Sequence, residues 1–172
     1  KMYIMVTVNA ITSDNISKWA WVSNLGYSMI KTVDLLIGGS KIDRQYGEWM
    51  SIWRELNSIP GNTRSYDNMI GNTKDMTELS TDTKTKTLYI PLQFFCCKND
   101  GLALPLIALQ YHSIHIDIQF RDGSECINQQ QYKQDTSNTV FTVTPKIDKI
   151  SLLVNYIHLD TDERQRFSTS IH

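Results

Sequence analysis

The sequence predicts an all-β protein, an antiparallel jelly-roll sandwich with one or two short helices inserted in its loops. About seven or eight short segments have the composition of strands, and turn signals separate them. Residues 114–120 alternate between bulky apolar and polar side chains, as a strand with one buried face does. Long connections between the segments favour a jelly roll over a simple meander. Composition by itself leaves immunoglobulin-like and other sandwiches open.

The length and composition are those of one globular domain. The chain has 172 residues, of which 41% are hydrophobic and 20% charged, enough to bury a sizeable core. It carries 17 basic and 18 acidic residues without a basic block, so we expect no direct binding to nucleic acid. No apolar stretch approaches about 18 residues, so neither a signal peptide nor a membrane-spanning helix is expected.

The first part of the chain predicts two strands and a hairpin. Residues 2–11 are rich in β-branched side chains, and residues 27–37 carry apolar side chains on one face, so both segments are predicted strands. Gly38-Gly39 separates the second strand from a short one at residues 40–45. This pair predicts a tight hairpin, because such a turn needs positive φ angles.

Residues 46–56 change to a helical period. Apolar side chains recur along one stripe, made of Tyr46, Trp49, Met50, Trp53 and Leu56. The pattern predicts a helix that closes one end of the sandwich or docks on another subunit. We assign Trp53 to the domain's own core and leave Trp49 open between the two roles.

The middle of the chain combines a long connection with two strands. Residues 58–86 are polar, and they predict either a surface excursion with a turn of helix or a contact loop of an assembly. Leu88 to Phe95 is a predicted strand with bulky side chains on both faces. A turn at residues 98–101 and an apolar corner lead to a second strand, Tyr111 to Phe120. We expect these two strands to be the central pair of the sandwich.

The last part of the chain predicts a polar loop and the final strands. Residues 121–138 form the loop, with Gln129 to Gln131 in solvent, and residues 140–143 form a brief strand. Residues 149–159 are the last predicted strand. Because both of its faces are apolar, this strand should lie inside the sandwich or under a neighbour.

Two pairs of titratable side chains have a structural and a functional interpretation. Asp160 with Glu163 resembles a capping box and predicts a short charged helix. A calcium site there is disfavoured, since the ligand spacing and glycine of an EF-hand loop are absent. A general-base role for His115 with Asp117 is also disfavoured, because the sequence places no nucleophile near them.

No catalytic, cofactor-binding or metal-binding residue is predicted. His112 and His115 would point to opposite sides of a strand, so they could not bind one metal together. Cys96 and Cys97 would have the same geometry. With Cys126 they make an odd count of cysteines, which we expect to remain reduced.

Three stretches carry a family resemblance. They are residues 91–118 (PLQFFCCKNDGLALPLIALQYHSIHIDI), residues 36–56 (LIGGSKIDRQYGEWMSIWREL) and residues 156–167 (YIHLDTDERQRF). The stretches resemble segments of the major capsid proteins of nucleocytoplasmic large DNA viruses, and they occur in the order found in that family. The resemblance covers most of the chain.

The resemblance implies two tandem jelly rolls, of which this chain would contain most of the first. Residues 1–159 would be the N-terminal jelly roll without its opening strand, so we expect a longer native protein that covers the resulting sheet edge. Residues 160–172 would be a connector towards an absent second jelly roll. Its expected connector residues are Asp160, Asp162, Glu163, Arg164, Arg166 and Phe167.

The function implied by the resemblance is structural and not enzymatic. The expected assembly is a homotrimer that forms a pseudo-hexagonal capsomer, contacts neighbouring capsomers and minor capsid proteins, and tiles an icosahedral shell. The shell would enclose an internal membrane that this chain does not span, and it would assemble in the host cytoplasm. Expected subunit-interface residues are Tyr46, Trp49, Trp19 and Trp21. The alternatives are a glycan-binding jelly roll and a cupin-like metalloenzyme, which would need clustered histidines that the sequence lacks.

Overall fold

A computed structural model describes residues 1–12, 18–58, 61–130 and 145–171 of the chain. The strands in these residues are β1 Met2–Val8, β2 Ile11–Thr12, β3 Lys18–Trp21, β4 Ile30–Ile37, β5 Ser40–Tyr46, β6 Asp82–Thr83, β7 Lys86–Pro91, β8 Ile114–Phe120, β9 Ile127–Gln130 and β10 Ile147–Val154. The helices are α1 Leu25–Ser28, α2 Gly47–Leu56, α3 Thr63–Ile70, α4 Lys74–Thr77, α5 Phe95–Lys98 and α6 Thr161–Ile171, with 3₁₀ turns at Asp100–Leu102 and Gly123–Cys126.

Two three-stranded antiparallel sheets build the sandwich. One has the order β10-β1-β7 and the other the order β5-β4-β8. The pairs β2-β6 and β3-β9 are two further two-stranded sheets. Ile4, Val6 and Val8 of β1 and Val33 and Leu35 of β4 are buried in the core between them. The predicted antiparallel sandwich is therefore confirmed, although its connections hold more helix than the one or two short segments expected.

Strand β4 and its hairpin follow the prediction except at the start. Gly38 and Gly39 have φ angles of 58° and 81°, and Ile37 pairs with Ser40 across the turn, so the hairpin is confirmed. Tyr27 was placed in the strand, but it lies in α1. A bulge at Lys31 then shifts the register against β8, and Lys31 is exposed next to the buried Ile30.

The prediction that Leu88 to Phe95 and Tyr111 to Phe120 form the central pair of strands is wrong. Strand β7 ends at Pro91 and Phe95 begins the helical turn α5, whereas β8 begins only at Ile114. The two strands are the outer strands of different sheets, and β1 and β4 occupy the central positions among the described strands. The apolar corner between β7 and β8 therefore carries the chain from one sheet to the other.

Two loop predictions need correction. Residues 58–86 contain α3, α4 and β6, and Ile70 and Met76 from this segment are buried in the core. Gln129 and Gln130 were expected in solvent, but they lie in β9 and pair with Trp19 and Lys18 of β3. The brief strand predicted at residues 140–143 and Gln131 lie outside the described residues.

Two of the four expected interface residues lie in the protein's own core. Trp19 and Trp21 are both buried, with their rings 6.4 Å apart. The indole nitrogen of Trp19 donates to the carbonyl of Thr81 at 3.3 Å. Strand β3 is short, but β9 pairs with it and residues near β6 cover it. The assignment of Trp19 and Trp21 to a subunit interface is therefore wrong.

The end of the chain combines an exposed strand with a helix. Strand β10 pairs with β1 and ends at Val154, five residues earlier than predicted. Most of its apolar side chains are exposed among the described residues, so of the two predicted placements, inside the sandwich or under a neighbour, only the second remains a prediction. Helix α6 begins at Thr161 as expected, and the Asp160 carboxylate accepts a hydrogen bond from the Thr161 backbone N–H at 2.7 Å.

Helices α1, α2 and α3 close one end of the sandwich. Helix α2 can approach α1 and β4 closely because its first residue is Gly47. A Cβ at this position would lie well inside 3.0 Å of the backbone carbonyl oxygens of Tyr27 and Ile30, a distance real Cβ atoms essentially never show. Both obstacles are backbone atoms, so only glycine fits at the start of α2.

We expect Gly47→Ala to destabilise the protein by about 3 kcal/mol, or to prevent folding, although alanine normally favours a helix. The reason is the collision of the new methyl group with two carbonyl groups. Urea-induced unfolding of the purified variant measures the effect.

Gly39→Ala is the control for this substitution. Unlike Gly47, Gly39 has a positive φ angle, but a Cβ there would meet nothing within 4 Å. Its cost should be only about 1 kcal/mol of backbone strain. Equal costs for the two variants would contradict the close packing at Gly47.

Candidate interaction surfaces

Helix α2 carries apolar side chains on two sides. Gly47 and Met50 face the core, and the side chain of Arg54 is only 9% exposed on the same side. On the outer side Trp49, Ile52 and Leu56 are 43%, 52% and 73% exposed. The predicted single stripe is therefore divided: Met50 reaches the core, and the other side of the helix presents apolar side chains to solvent.

Neighbouring side chains order the outer side of α2. The rings of Trp49 and Trp53 lie 5.9 Å apart at 45°. The ammonium group of Lys98, at the end of α5, lies 4.6 Å from the centre of the Trp53 ring, within the range of a cation–π contact. Trp53 is half-buried and therefore joins the exposed surface to the body of the protein.

Polar side chains hold α2 against α3. Arg54 donates to the carboxylates of Asp67 and Glu55, and its guanidinium lies 5.7 Å from the centre of the Tyr66 ring. The hydroxyl of Tyr66 shares a hydrogen bond with that of Tyr27. Burial raises the pKa of both phenols, so they stay neutral, and Arg54 and Asp67 form the ion pair between the helices.

A second exposed surface lies along β10. Ile147, Ile150 and Leu152 are 37%, 47% and 44% exposed, whereas their direct cross-strand partners on β1, Val8, Val6 and Ile4, are at most 2% exposed. Directly opposite residues of an antiparallel pair point to the same face. The β10 side chains therefore point to the core side of the sheet, where no described residue covers them fully.

The neighbouring edge of the other sheet is also only partly covered. Ile114, Ile116, Ile118 and Phe120 of β8 face the core and are half-buried. No described strand pairs with the outer edge of β8 or of β10. A small cavity of about 200 Å³ has Arg121, directly after β8, and Ile147 of β10 in its lining. The two uncovered edges thus lie on the same side of the sandwich, which we name the open side.

The outer face of the β5-β4-β8 sheet is polar. The Asp34 carboxylate accepts hydrogen bonds from Arg44 at 2.6 and 2.7 Å and contacts the Lys41 ammonium at 2.7 Å. These bonds, Arg44 first, hold the pKa of Asp34 well below its usual range. Asp117 lies opposite Asp34 on β8 and is exposed. This face has the chemistry of a surface in water.

The candidate catalytic and metal-binding residues are not brought together. Cys96 and Cys97 lie in the helical turn α5, not on a strand, and a hydrogen bond between them lowers the pKa of Cys97 and raises that of Cys96. His112 precedes β8 and lies beside Gly38, while His115 is exposed on the strand. Within the described ranges, no three His, Cys, Asp or Glu residues are grouped as metal ligands.

A polar groove of about 720 Å³ lies along α3 and α4. Its lining consists of Thr63, Arg64, Asp67, Asn68, Asn72, Thr73, Lys74 and Asp75. No aromatic ring is among these residues. Sequence patterns did not indicate this groove, because its lining comes from two helices in a segment that was predicted to be a loop.

The sequence also missed Ile52 and Arg54 as residues of the α2 surfaces. Ile52 lies off the predicted stripe, yet Trp49, Ile52 and Leu56 follow the spacing i, i+3, i+7 of a second helical face. Arg54 gave no sequence signal, because its partner Asp67 lies in a segment read as a loop. Of the expected interface residues, Tyr46 and Trp49 remain exposed.

The described residues form an antiparallel sandwich with long, partly helical connections, and some of its apolar side chains are exposed. This is the architecture of a jelly-roll assembly subunit. Comparison with known families identifies the particular group. The family described as "Major capsid protein N-terminus" matches residues 1–160. The chain belongs to this family.

The similar proteins come from large DNA viruses. "Capsid protein 1" of Acanthamoeba polyphaga mimivirus is 40% identical over 166 residues, which cover 90% of this chain and 27% of that protein. The "Major capsid protein" of Pyramimonas orientalis virus is 38% identical over 175 residues, covering 100% of this chain and 40% of that protein. The chain thus spans well under half the length of these relatives.

Two solved structures share the fold. PBCV-1 VP54, in a crystal structure fitted into a cryo-EM reconstruction of the virophage Sputnik, matches with a TM-score of 0.70 and 27% identity over 98% of this chain and 37% of that chain. The quasi-atomic model of the PBCV-1 virus capsid matches with a TM-score of 0.68, 26% identity and the same coverage. The jelly-roll class is thereby confirmed.

Membrane crossing by a helix finds no support in the described part of the chain. None of its helices combines the length and apolar character that a bilayer span needs.

We expect Arg54→Ala to destabilise the protein by about 3 kcal/mol, because it removes the partner of the largely buried Asp67 carboxylate and the packing on Tyr66. Arg64→Ala is the matched control. Arg64 is exposed on α3, so its loss should change the free energy of unfolding by less than about 0.5 kcal/mol. Thermal unfolding of both variants would contradict the prediction if Arg54→Ala behaved like the control.

Proposed function

We propose that this chain is part of a major capsid protein, a structural subunit of a viral shell. In this proposal the complete protein forms a homotrimer, the trimer is a pseudo-hexagonal capsomer, and capsomers tile an icosahedral shell. The family match and the capsid names of the relatives support the structural role. The function of the whole protein is a proposal because the chain spans only part of its relatives.

The open side is the observation that carries the proposal. Core-facing isoleucine and leucine side chains on β10 remain exposed although their partners on β1 are buried. Uncovered strand edges and apolar side chains make an isolated domain prone to aggregation. A protein that works alone would cover them, whereas a domain of a larger assembly receives its cover from additional chain.

We assign residues 1–159 to the N-terminal jelly roll and residues 160–172 to a connector. Strands outside this sequence would pair with the edges of β10 and β8 that no described strand occupies and so complete both sheets. The connector proposal is supported by α6, which follows Asp160 directly and is largely exposed. Its proposed connector residues are Asp160, Asp162, Glu163, Arg164, Arg166 and Phe167.

Tyr46 and Trp49 remain the proposed subunit-interface residues, because both are exposed at the start of α2. Neighbouring capsomers and minor capsid proteins are the further proposed partners. The proposal places the protein in the virion after assembly in the host cytoplasm, near an internal membrane and without direct contact to the genome. The balanced charge of the chain supports the last point.

We propose no enzymatic activity, and the glycan-binding alternative receives no support from the polar groove. Sugar sites commonly use an aromatic ring as a stacking platform, and the groove along α3 and α4 has none in its lining. Two exposed aromatic side chains, Tyr46 at the end of β5 and Trp49 of α2, are not in this lining.

The complete protein should be a trimer with a pseudo-hexagonal outline in electron micrographs. The reason is that two jelly rolls in each of three subunits make six similar units around one axis. Mass photometry gives the number of subunits independently. A stable monomer that stays monomeric at micromolar concentration would contradict the proposed function.

Ile150→Ala should have a different cost in the 172-residue chain and in the complete protein. In the short chain Ile150 is half-exposed, and its loss should cost less than about 1 kcal/mol. In the complete protein, added strands would bury it, so the cost should rise to about 3 kcal/mol. Urea-induced unfolding measures both values.

Ile4→Ala is the control for this comparison. Ile4 is already buried, so its replacement should cost about 3 kcal/mol in either protein. If Ile150→Ala had the same small cost in both proteins, the open side would not be covered by additional strands.

A further inference from the structure

We draw no further inference here: the strongest candidate, the apolar patch of Trp49, Ile52 and Leu56 on the outer side of helix α2, is exposed in the described part of the chain, and nothing in the structure shows what covers it.

Discussion

The pairing of β10 with β1 is the interaction on which the character of this domain depends. It is a regular antiparallel pairing, and it aligns apolar side chains in rows across the two strands. On β1 the facing sheet covers these side chains, and on β10 it does not reach them. Burial of an aliphatic side chain is worth roughly 1.5 to 3 kcal/mol. The described residues leave this row exposed, so polypeptide that packed on it would add to the stability of the domain.

Helix α2 is likewise packed on the domain with one side and exposes apolar side chains on the other. Its inner side is fixed by Met50, by the Arg54–Asp67 pair and by the contact at Gly47, where a larger residue has no room. Because these contacts hold the helix, its outer side is free to be apolar without distorting the fold. Rigid anchoring on one side and an apolar surface on the other suit a subunit whose energy of assembly comes from preformed surfaces.

The sequence predicted those features that depend on local chemistry. Gly38-Gly39 indicated the hairpin, the alternation from Ile114 to Phe120 indicated β8, and the helical period indicated α2. Failures arose where distant chain decides the outcome. The bulge at Lys31 depends on the register against β8, and the burial of Trp19 depends on β9, more than a hundred residues away. An apolar residue can be recognised from sequence, but whether its own chain or a partner covers it cannot.

The two sheets differ in the side chains on their outer faces, and these side chains determine how much it costs to remove water from each face. Asp34, Arg44 and Lys41 give the β5-β4-β8 sheet a hydrogen-bonded ionic surface, and burying it would require removing water from these charges. The outer face of the other sheet pairs Tyr3 with Leu153 and Met5 with Tyr89, and desolvation of this part of the face costs little. A neighbour that packs on this domain would therefore gain most against the β10-β1-β7 sheet and α2. The ionic face of β4 is the part of the sandwich best suited to remain in water within an assembly.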